Sequence, residues 1–168
     1  MEAIIYTSNT GTTKEYAEML GKETEASVYT VHEAKYKVQK GADIIYLGWL
    51  VASKVKGYSK IKNKYNVLAV CGVGMGRTGS QLAEVKKANR IDNSKLFVLQ
   101  GGFDINKLHG IYGFMMKGMS KMVSKMLTKK ENKTAEEIDT LDLMKNGGSR
   151  VSPENLKGVI EWINDNNF

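Results

Sequence analysis

The only cysteine of the chain, Cys71, lies in the segment VCGVGMGRTGSQ, where five residues separate it from Arg77. A thiolate is a strong nucleophile toward phosphorus, and an arginine beside it can hold phosphate oxygens and lower the pKa of the thiol. The spacing therefore indicates one chemistry directly, the cysteine-dependent cleavage of a phosphate ester. The same segment is rich in glycine, so its second interpretation is a loop whose bare backbone lies against a ligand.

The segment resembles the protein tyrosine phosphatase signature, H-C-x-x-G-x-x-R-[ST]-G, but Val70 stands in place of the histidine. A phosphatase also needs a carboxylic acid that protonates the leaving oxygen. Asp43 begins a predicted strand and so belongs at the opposite edge of a parallel sheet, which leaves Asp104. We favour the ligand loop, in which Arg77 or Lys54 would stabilise a negatively charged reduced cofactor.

A second segment whose residues could bind a ligand lies near the amino terminus, where a strand, a hydroxyl-rich turn and a helix follow one another from Ile4 to Leu20. Its turn carries four hydroxyl side chains, while Asn9 and Gly11 allow the backbone to fold so that amides converge at the helix start. Free amides and the positive end of the helix dipole form an anion site. The turn, Ser8 to Thr13, therefore predicts binding of a compact dianion such as a phosphate monoester.

Strands and helices alternate along the chain, and most of the strands are continuously apolar. This pattern predicts an α/β fold with a parallel sheet covered on both faces. The predicted strands are Ala3–Thr7, Ser27–Val31, Ala42–Leu47, Asn66–Cys71 and Lys95–Gln100. The predicted helices are Thr12–Thr24, Thr78–Ala88, a methionine- and lysine-rich segment over Asn106–Leu127, Ala135–Asn146 and a last helix that begins at Ser152-Pro153.

The segment IIYTSNTGTTKEYAEML, Ile4 to Leu20, resembles the flavodoxin signature along its whole length. The resemblance implies a flavodoxin-like, doubly wound sheet of five parallel strands in the order 2-1-3-4-5, with the ligand at the carboxyl ends of the strands. It implies FMN as the cofactor, held by three loops. The implied binding residues are Thr7, Ser8, Asn9, Thr10, Gly11, Thr12 and Thr13 at the phosphate, and Trp49, Leu50, Val51, Ala52, Ser53, Cys71, Gly72, Val73, Gly74, Met75 and Gly76 at the ring.

Two features differ from a flavodoxin electron carrier. The chain has 25 Lys and Arg against 18 Asp and Glu, a net charge of +7, whereas the carriers are acidic. Trp49 and Tyr58 are the aromatic residues near the second loop, and the third loop offers only Val73 and Met75, so one ring face is expected to be open. An open face suits a substrate or a quinone better than a sealed electron shuttle.

The segment QGGFDINKLHGIYGFMMKGMSKMVSKML is similar to the corresponding part of the flavodoxin-domain family that contains menaquinone-dependent protoporphyrinogen oxidase. This resemblance implies an FMN-dependent oxidation of a porphyrinogen-like or other organic substrate, with a quinone or a redox protein as acceptor. The alternatives are a simple electron carrier, a phosphatase that uses Cys71, Arg77 and Asp104, and a flavodoxin-like interaction domain without flavin.

The methionine- and lysine-rich segment has two interpretations. Wound as a helix, it places one set of apolar residues on one side (Met115, Met119, Met122, Val123 and Met126) and three lysines on the other (Lys117, Lys121 and Lys125). We favour a helix packed on its own domain, with methionine filling irregular gaps. The alternative is peripheral contact with an anionic membrane surface. His109 is a candidate proton donor, although a structural role is the preferred one.

Composition limits the remaining classes. One cysteine excludes an internal disulfide framework and a cysteine-rich zinc site, and it fits a reducing compartment. We recognise no nucleic-acid-binding motif, no signal peptide and no membrane-spanning run in the sequence. We therefore expect a soluble cytoplasmic protein of one domain, residues 1–168, with a helical insertion over 104–150 before the last helix.

Overall fold

The computed structural model describes residues 1–91, 94–104 and 110–168, and for residues 110–112, 115 and 116 it describes the backbone alone. The strands of this part are β1 (Ala3–Thr7), β2 (Ser27–Thr30), β3 (Asp43–Val51), β4 (Lys54–Val55), β5 (Asn66–Gly74), β6 (Lys95–Gln100), β7 (Gly102–Phe103) and β8 (Gly148–Ser149). The helices are α1 (Thr12–Thr24), α2 (Val31–Lys37), α3 (Tyr58–Ile61), α4 (Leu82–Asn89), α5 (Gly110–Lys129), α6 (Ala135–Asn146) and α7 (Lys157–Asp165), with a 3-10 turn over Pro153–Leu156 before α7.

The main sheet has the strand order β2-β1-β3-β5-β6, and all of these neighbours pair in parallel. Because β4 is a short strand that pairs only with β3, this order is the predicted 2-1-3-4-5. The expected fold is confirmed: a doubly wound α/β sheet with the flavodoxin-like order. The register places Thr7 opposite Gly48, Gly48 opposite Gly72 and Gly72 opposite Val98, so these residues mark the carboxyl edge of the sheet.

Each face of the sheet has its own core. One core contains Ile5, Ile44, Tyr46 and Val70, and the other contains Ile4, Ile45, Leu47 and Cys71 with residues of α1 and α7. Successive residues of a strand point to opposite faces, so a continuously apolar strand is what two covered faces require. The apolar runs of the sequence therefore predicted this layering correctly.

Several predicted boundaries match the structure. Helices α1 and α6 and strand β6 occupy their predicted ranges. The capping box predicted for α6 is present: the Thr134 hydroxyl accepts a hydrogen bond from the Glu137 amide, and the Glu137 carboxylate accepts one from the Thr134 amide. The helix predicted over Thr78–Ala88 begins later, at Leu82, because Gln81 adopts the left-handed conformation just before it.

Strands β3 and β5 continue beyond the ends that the sequence predicted. The predicted ends are Leu47 and Cys71, but Gly48 and Gly72 both remain in the ladder, which continues to the pair of Trp49 and Val73. The side chain of Leu50 lies over the glycines of β5, where a Cβ placed on Gly72 would lie 2.9 Å from Leu50 Cδ2. A Cβ placed on Gly48 would lie 2.6 Å from the Lys56 carbonyl oxygen. The glycines make room for Leu50 and for the backbone of Lys56, and they do not end the strands.

The chain leaves β3 through a tight hairpin to β4. Leu50 pairs with Val55, and the two turn residues, Ala52 and Ser53, have φ values of 46° and 62°. Two consecutive left-handed residues form the turn that matches the twist of paired strands, although Asn and Gly adopt it at lower cost. Asn89 of α4 holds the hairpin, since its side chain accepts from the Val55 amide at 2.8 Å and donates to the Ser53 carbonyl at 2.8 Å.

The segment between β6 and α7 contains the predicted helical insertion. Strand β7 pairs with β8 in an antiparallel ribbon, and α5 and α6 pack against each other between these two strands. The predicted start of the first helix at Asn106, together with His109, lies outside the described residues. Within the described ranges, no helix is both long enough and apolar enough to cross a bilayer.

Candidate functional site

The loop that joins β1 to α1 ends in a helix start whose amides are not capped. Gly11 precedes the helix with φ 106°, and no side chain of the described residues caps this end. The Ser8 hydroxyl is turned back to accept a hydrogen bond from the Gly11 amide at 3.2 Å, which fixes the loop. The first amides of a 13-residue helix are thus left for an external acceptor, and their partial positive charge favours an anion.

Thr13, in the first turn of α1, has a hydroxyl with no partner. The residue is 1 % exposed, and its Oγ1 atom forms no hydrogen bond with the residues that the structure describes. A buried hydroxyl without a partner costs about 1–3 kcal/mol, so native structures seldom leave one unless a ligand or water satisfies it. Thr13 therefore places an unsatisfied hydroxyl donor in the first turn of α1.

A cleft of about 430 Å³ adjoins this loop on the side of β2. Lys14 contributes a cation to it and forms a 3.5 Å ion pair with Glu18 along the helix. The cleft is lined by Tyr6, Thr7, Ser8, Asn9, Gly11, Lys14, Thr30, Val31 and His32. Four residues of the predicted phosphate group thus meet in one concave surface, whereas Thr10, Thr12 and Thr13 do not line it. Thr12 lies toward the loop after β6, where a Cβ on Gly101 would lie 3.2 Å from its hydroxyl.

The second and third predicted loops lie side by side as extensions of β3 and β5. Trp49 and Val73 are paired across the two strands, and Leu50 covers the backbone of Gly72 and Gly74 on the other face. Lys56 lies 5.9 Å from the centre of the Trp49 ring. The structure therefore brings these predicted ring-site residues together at the carboxyl edge, with the aliphatic side chain of Leu50 over the glycines.

Cys71 lies inside β5 and not in a loop. Its side chain is fully buried in the core that β5 shares with α1 and α7, and burial raises the pKa of the thiol to about 12. A nucleophilic cysteine needs the opposite environment, an exposed and electropositive one that favours the thiolate. Arg77 is exposed, and Asp43 lies at the start of β3, hydrogen-bonded to Asn66 at the start of β5. This arrangement favours the glycine-loop interpretation over the phosphatase.

A polar network that the sequence did not indicate joins the third loop to the carboxyl-terminal part of the chain. The Asn155 side chain donates to the Tyr16 hydroxyl at 2.7 Å and accepts from the Thr78 hydroxyl at 2.6 Å. Thr78 in turn accepts from the Gln100 amide at 3.0 Å, and the Tyr16 hydroxyl donates to the Gln100 carbonyl. The network fixes the loop after β5 against β6 and α1.

Arg150 fixes α6 to the same edge. Its guanidinium donates to Asp139 at 2.9 Å and to Asp142 at 2.6 Å, and the two carboxylates raise its pKa. The Gln100 side chain bridges Asp139 and the Met75 carbonyl, so the insertion is tied directly to the third loop. A Cβ on Gly76 would lie 3.5 Å from the Glu136 carboxylate. Helix α6 thus borders the predicted ring site, a placement that no local pattern revealed.

The comparisons with known proteins give no further assignment. The chain matches no family model, no curated protein and no solved structure. The flavodoxin-like character consequently rests on the strand order and on the geometry of the loop from Ser8 to Thr13. The cofactor-binding assignment of the individual residues stays a prediction.

Proposed function

We propose that the chain binds FMN non-covalently, with Ser8–Thr13 around its 5′-phosphate, and that it is a redox protein of the flavodoxin-like family. The observation that carries the proposal is the buried hydroxyl of Thr13, which lacks a partner in the first turn of an uncapped helix. Both the hydroxyl and the amides donate hydrogen bonds, and a phosphate dianion accepts several. The donor set of this loop therefore fits the phosphate end of the nucleotide.

The second and third loops fit the isoalloxazine ring of FMN less specifically than the first loop fits the phosphate. Trp49 offers an aromatic surface beside the carboxyl edge, while Gly72 and Gly74 of the neighbouring strand stay within the sheet under Leu50. Arg77 and Lys54 are the cations of these loops that would stabilise negative charge. Bound FMN would supply one- and two-electron transfer, and the chain would position it and control which partners reach it.

The substrate side of the proposal is an organic reductant such as a porphyrinogen, with a quinone or a redox protein as acceptor. The net charge of +7 supports anionic partners, because a positive surface attracts them over long distances. The position of α6 supports a substrate site beside the third loop, because hydrogen bonds of Asp139 to Gln100 and Arg150 hold this helix next to the loop. A simple electron carrier is the alternative. The single cysteine supports a reducing, cytoplasmic compartment for either activity.

The test is a binding titration of the purified chain with two matched ligands, FMN and riboflavin, which differ only in the phosphate. We expect visible flavin absorption in the purified protein and binding of FMN at least about tenfold tighter than that of riboflavin, because two or more charge-assisted hydrogen bonds are lost with the phosphate. Equal affinities would remove the role of Ser8–Thr13. If the chain binds neither ligand, the remaining interpretation is a flavodoxin-like interaction domain without flavin.

The loaded protein then separates the two redox functions. Oxidation of a porphyrinogen with a quinone acceptor supports the oxidase, whereas reversible reduction without porphyrinogen turnover supports the carrier. If the chain instead hydrolyses an aryl phosphate and Cys71→Ser loses that activity, the phosphatase becomes the preferred function.

A further inference from the structure

Helix α5 exposes several large apolar side chains. Phe114 is 82 % exposed, and Met119, Met122 and Met126 are 48 %, 67 % and 63 % exposed. The three methionines have the spacing i, i+3, i+7, which places them on one side of a helix. The interpretation that methionine fills gaps in the domain is therefore wrong for these three residues, and the side chain of Met115 lies outside the described residues.

The packed side of α5 is a different one. Gly113, Ser120 and Leu127 are buried, and their spacing of seven residues defines a single strip along the helix. Helix α6 is the element that packs against α5. Because the strip of Gly113, Ser120 and Leu127 already forms the buried side of α5, the methionines are not needed to hold this helix on the domain.

Lysines occupy the arc that adjoins the methionines. Lys117, Lys121, Lys125 and Lys129 are all exposed, and the sequence Gly110–Lys129 contains no acidic residue. Three of the four acids of α6 are paired elsewhere, since Glu137 lies 2.6 Å from Lys130 while Asp139 and Asp142 bind Arg150, and the fourth, Glu136, lies beside Gly76 of the third loop. The exposed surface of α5 therefore combines an apolar stripe with a uniformly positive one.

We propose that α5 lies along the surface of a bilayer that contains anionic lipids, with the methionines among the acyl chains and the lysines at the headgroups. A helix of 20 residues is about 30 Å long, and the mixture of apolar and basic stripes is typical of helices that lie in the interface. Each lysine near such a surface strengthens binding about fivefold. This inference is independent of the proposed cofactor.

Charge decides between the bilayer and a second copy of the chain. A symmetric pair formed by this face would bring the lysine rows of both copies together with no acidic residue of α5 between them. Like charges at an interface oppose association. An anionic lipid surface compensates the lysines and takes up the methionines at the same time.

The test is co-sedimentation of the full chain with vesicles of phosphatidylglycerol and phosphatidylcholine, compared with vesicles of phosphatidylcholine alone. We expect binding at least about tenfold tighter to the anionic vesicles, weakened by added salt because salt screens the lysines. The triple variant Lys117→Gln, Lys121→Gln, Lys125→Gln should lose about a hundredfold in affinity, since three lysine contributions are removed. Replacing Met119, Met122 and Met126 by Gln should cost about tenfold or more.

The matched control is Lys35→Gln, Lys37→Gln, Lys40→Gln, which removes the same charge from exposed positions in and just after α2. It should weaken vesicle binding by less than about twofold if α5 is the docking surface. An equal loss in both lysine variants would overturn the proposal in favour of general charge. Equal binding to neutral vesicles, or a dimer in solution that the methionine variant abolishes without any vesicle binding, would overturn it as well. Circular dichroism of each variant establishes that the fold is retained.

Discussion

The hydroxyl of Tyr16 in α1 accepts a 2.7 Å hydrogen bond from the side-chain amide of Asn155, which lies 139 positions later in the chain. The same amide donates to the Arg150 carbonyl at 2.9 Å, and the Asn155 side-chain oxygen accepts from Thr78. One side chain therefore connects the first helix, the loop after β5 and the end of the helical insertion. Burial raises the pKa of the Tyr16 hydroxyl, so it stays protonated and donates to the Gln100 carbonyl.

Replacing Asn155 by Ala should lower the free energy of unfolding by about 2 kcal/mol, because the buried Tyr16 and the less buried Arg150 and Thr78 lose their hydrogen bonds to it together. Tyr16→Phe should cost about 1 kcal/mol, since Asn155 keeps its bond to Arg150. Urea unfolding of both variants measures these values. The exposed Asn63→Ala serves as the control and should stay within about 0.5 kcal/mol of the parent. Equal stability of Asn155→Ala and the control would show that the network contributes nothing.

The hairpin turn at Ala52 and Ser53 should be improvable. Both residues hold left-handed backbone conformations that strain a side chain, and Asn-Gly is the pair that this turn prefers. The double substitution Ala52→Asn, Ser53→Gly should therefore raise the unfolding free energy by about 1–2 kcal/mol, measured by urea unfolding. The Ser53 carbonyl that binds Asn89 is kept. Ala88→Gly in α4 is the opposite control, since glycine inside a helix should cost about 1 kcal/mol. A loss of stability in the double variant would contradict the turn assignment.

Local patterns in the sequence specified the layers of this fold and missed its long-range contacts. The periodicity around Thr12–Thr24 and Ala135–Asn146 was sufficient to give the limits of both helices, because their apolar faces are local, as is the capping box of the second. The prediction ends the strand at Cys71, since nothing nearby in sequence shows that Leu50 covers Gly72. The Tyr16–Asn155 contact was invisible for the same reason: it forms only after the helical insertion has returned to the sheet.

Stability should fall at high pH because of Cys71 and Tyr46. Burial raises the pKa of the Cys71 thiol from its ordinary 9.0 to about 12, and it raises that of the Tyr46 hydroxyl from 10.0 to about 12 although Thr7 bonds to it. The unfolded chain releases these protons first. Their stabilising contribution is therefore complete below about pH 9 and declines as the pH rises toward 12, by up to about 1.4 kcal/mol per pH unit for each group.

Urea unfolding at pH 8 to 11 measures this decline. Cys71→Ala should reduce the slope, because one of the two groups is then absent, while Lys56, Thr7 and the Tyr46 hydroxyl remain as they are. An unchanged slope would contradict the assignment to Cys71. The native thiol should also resist alkylation at pH 8 until denaturant is added, since it is buried and protonated.

Thr13→Val should have opposite effects on the stability of the nucleotide-free chain and on its affinity for FMN. In the chain without nucleotide it removes a buried hydroxyl that has no partner among the described residues, so the unfolding free energy should rise by about 1 kcal/mol. In the complex it removes a hydrogen bond to a charged phosphate, which is worth about 1.5–3 kcal/mol, so FMN should bind about tenfold more weakly or worse. Riboflavin affinity should not change, because riboflavin has no phosphate for Thr13 to contact. Thr13→Ser keeps the hydroxyl and should retain most of the FMN affinity.

A gain in stability together with a loss of FMN affinity in one variant requires a hydroxyl that is unsatisfied without ligand and satisfied with it. If Thr13→Val instead lowers both stability and affinity, or weakens FMN and riboflavin binding equally, this hydroxyl does not bind the phosphate.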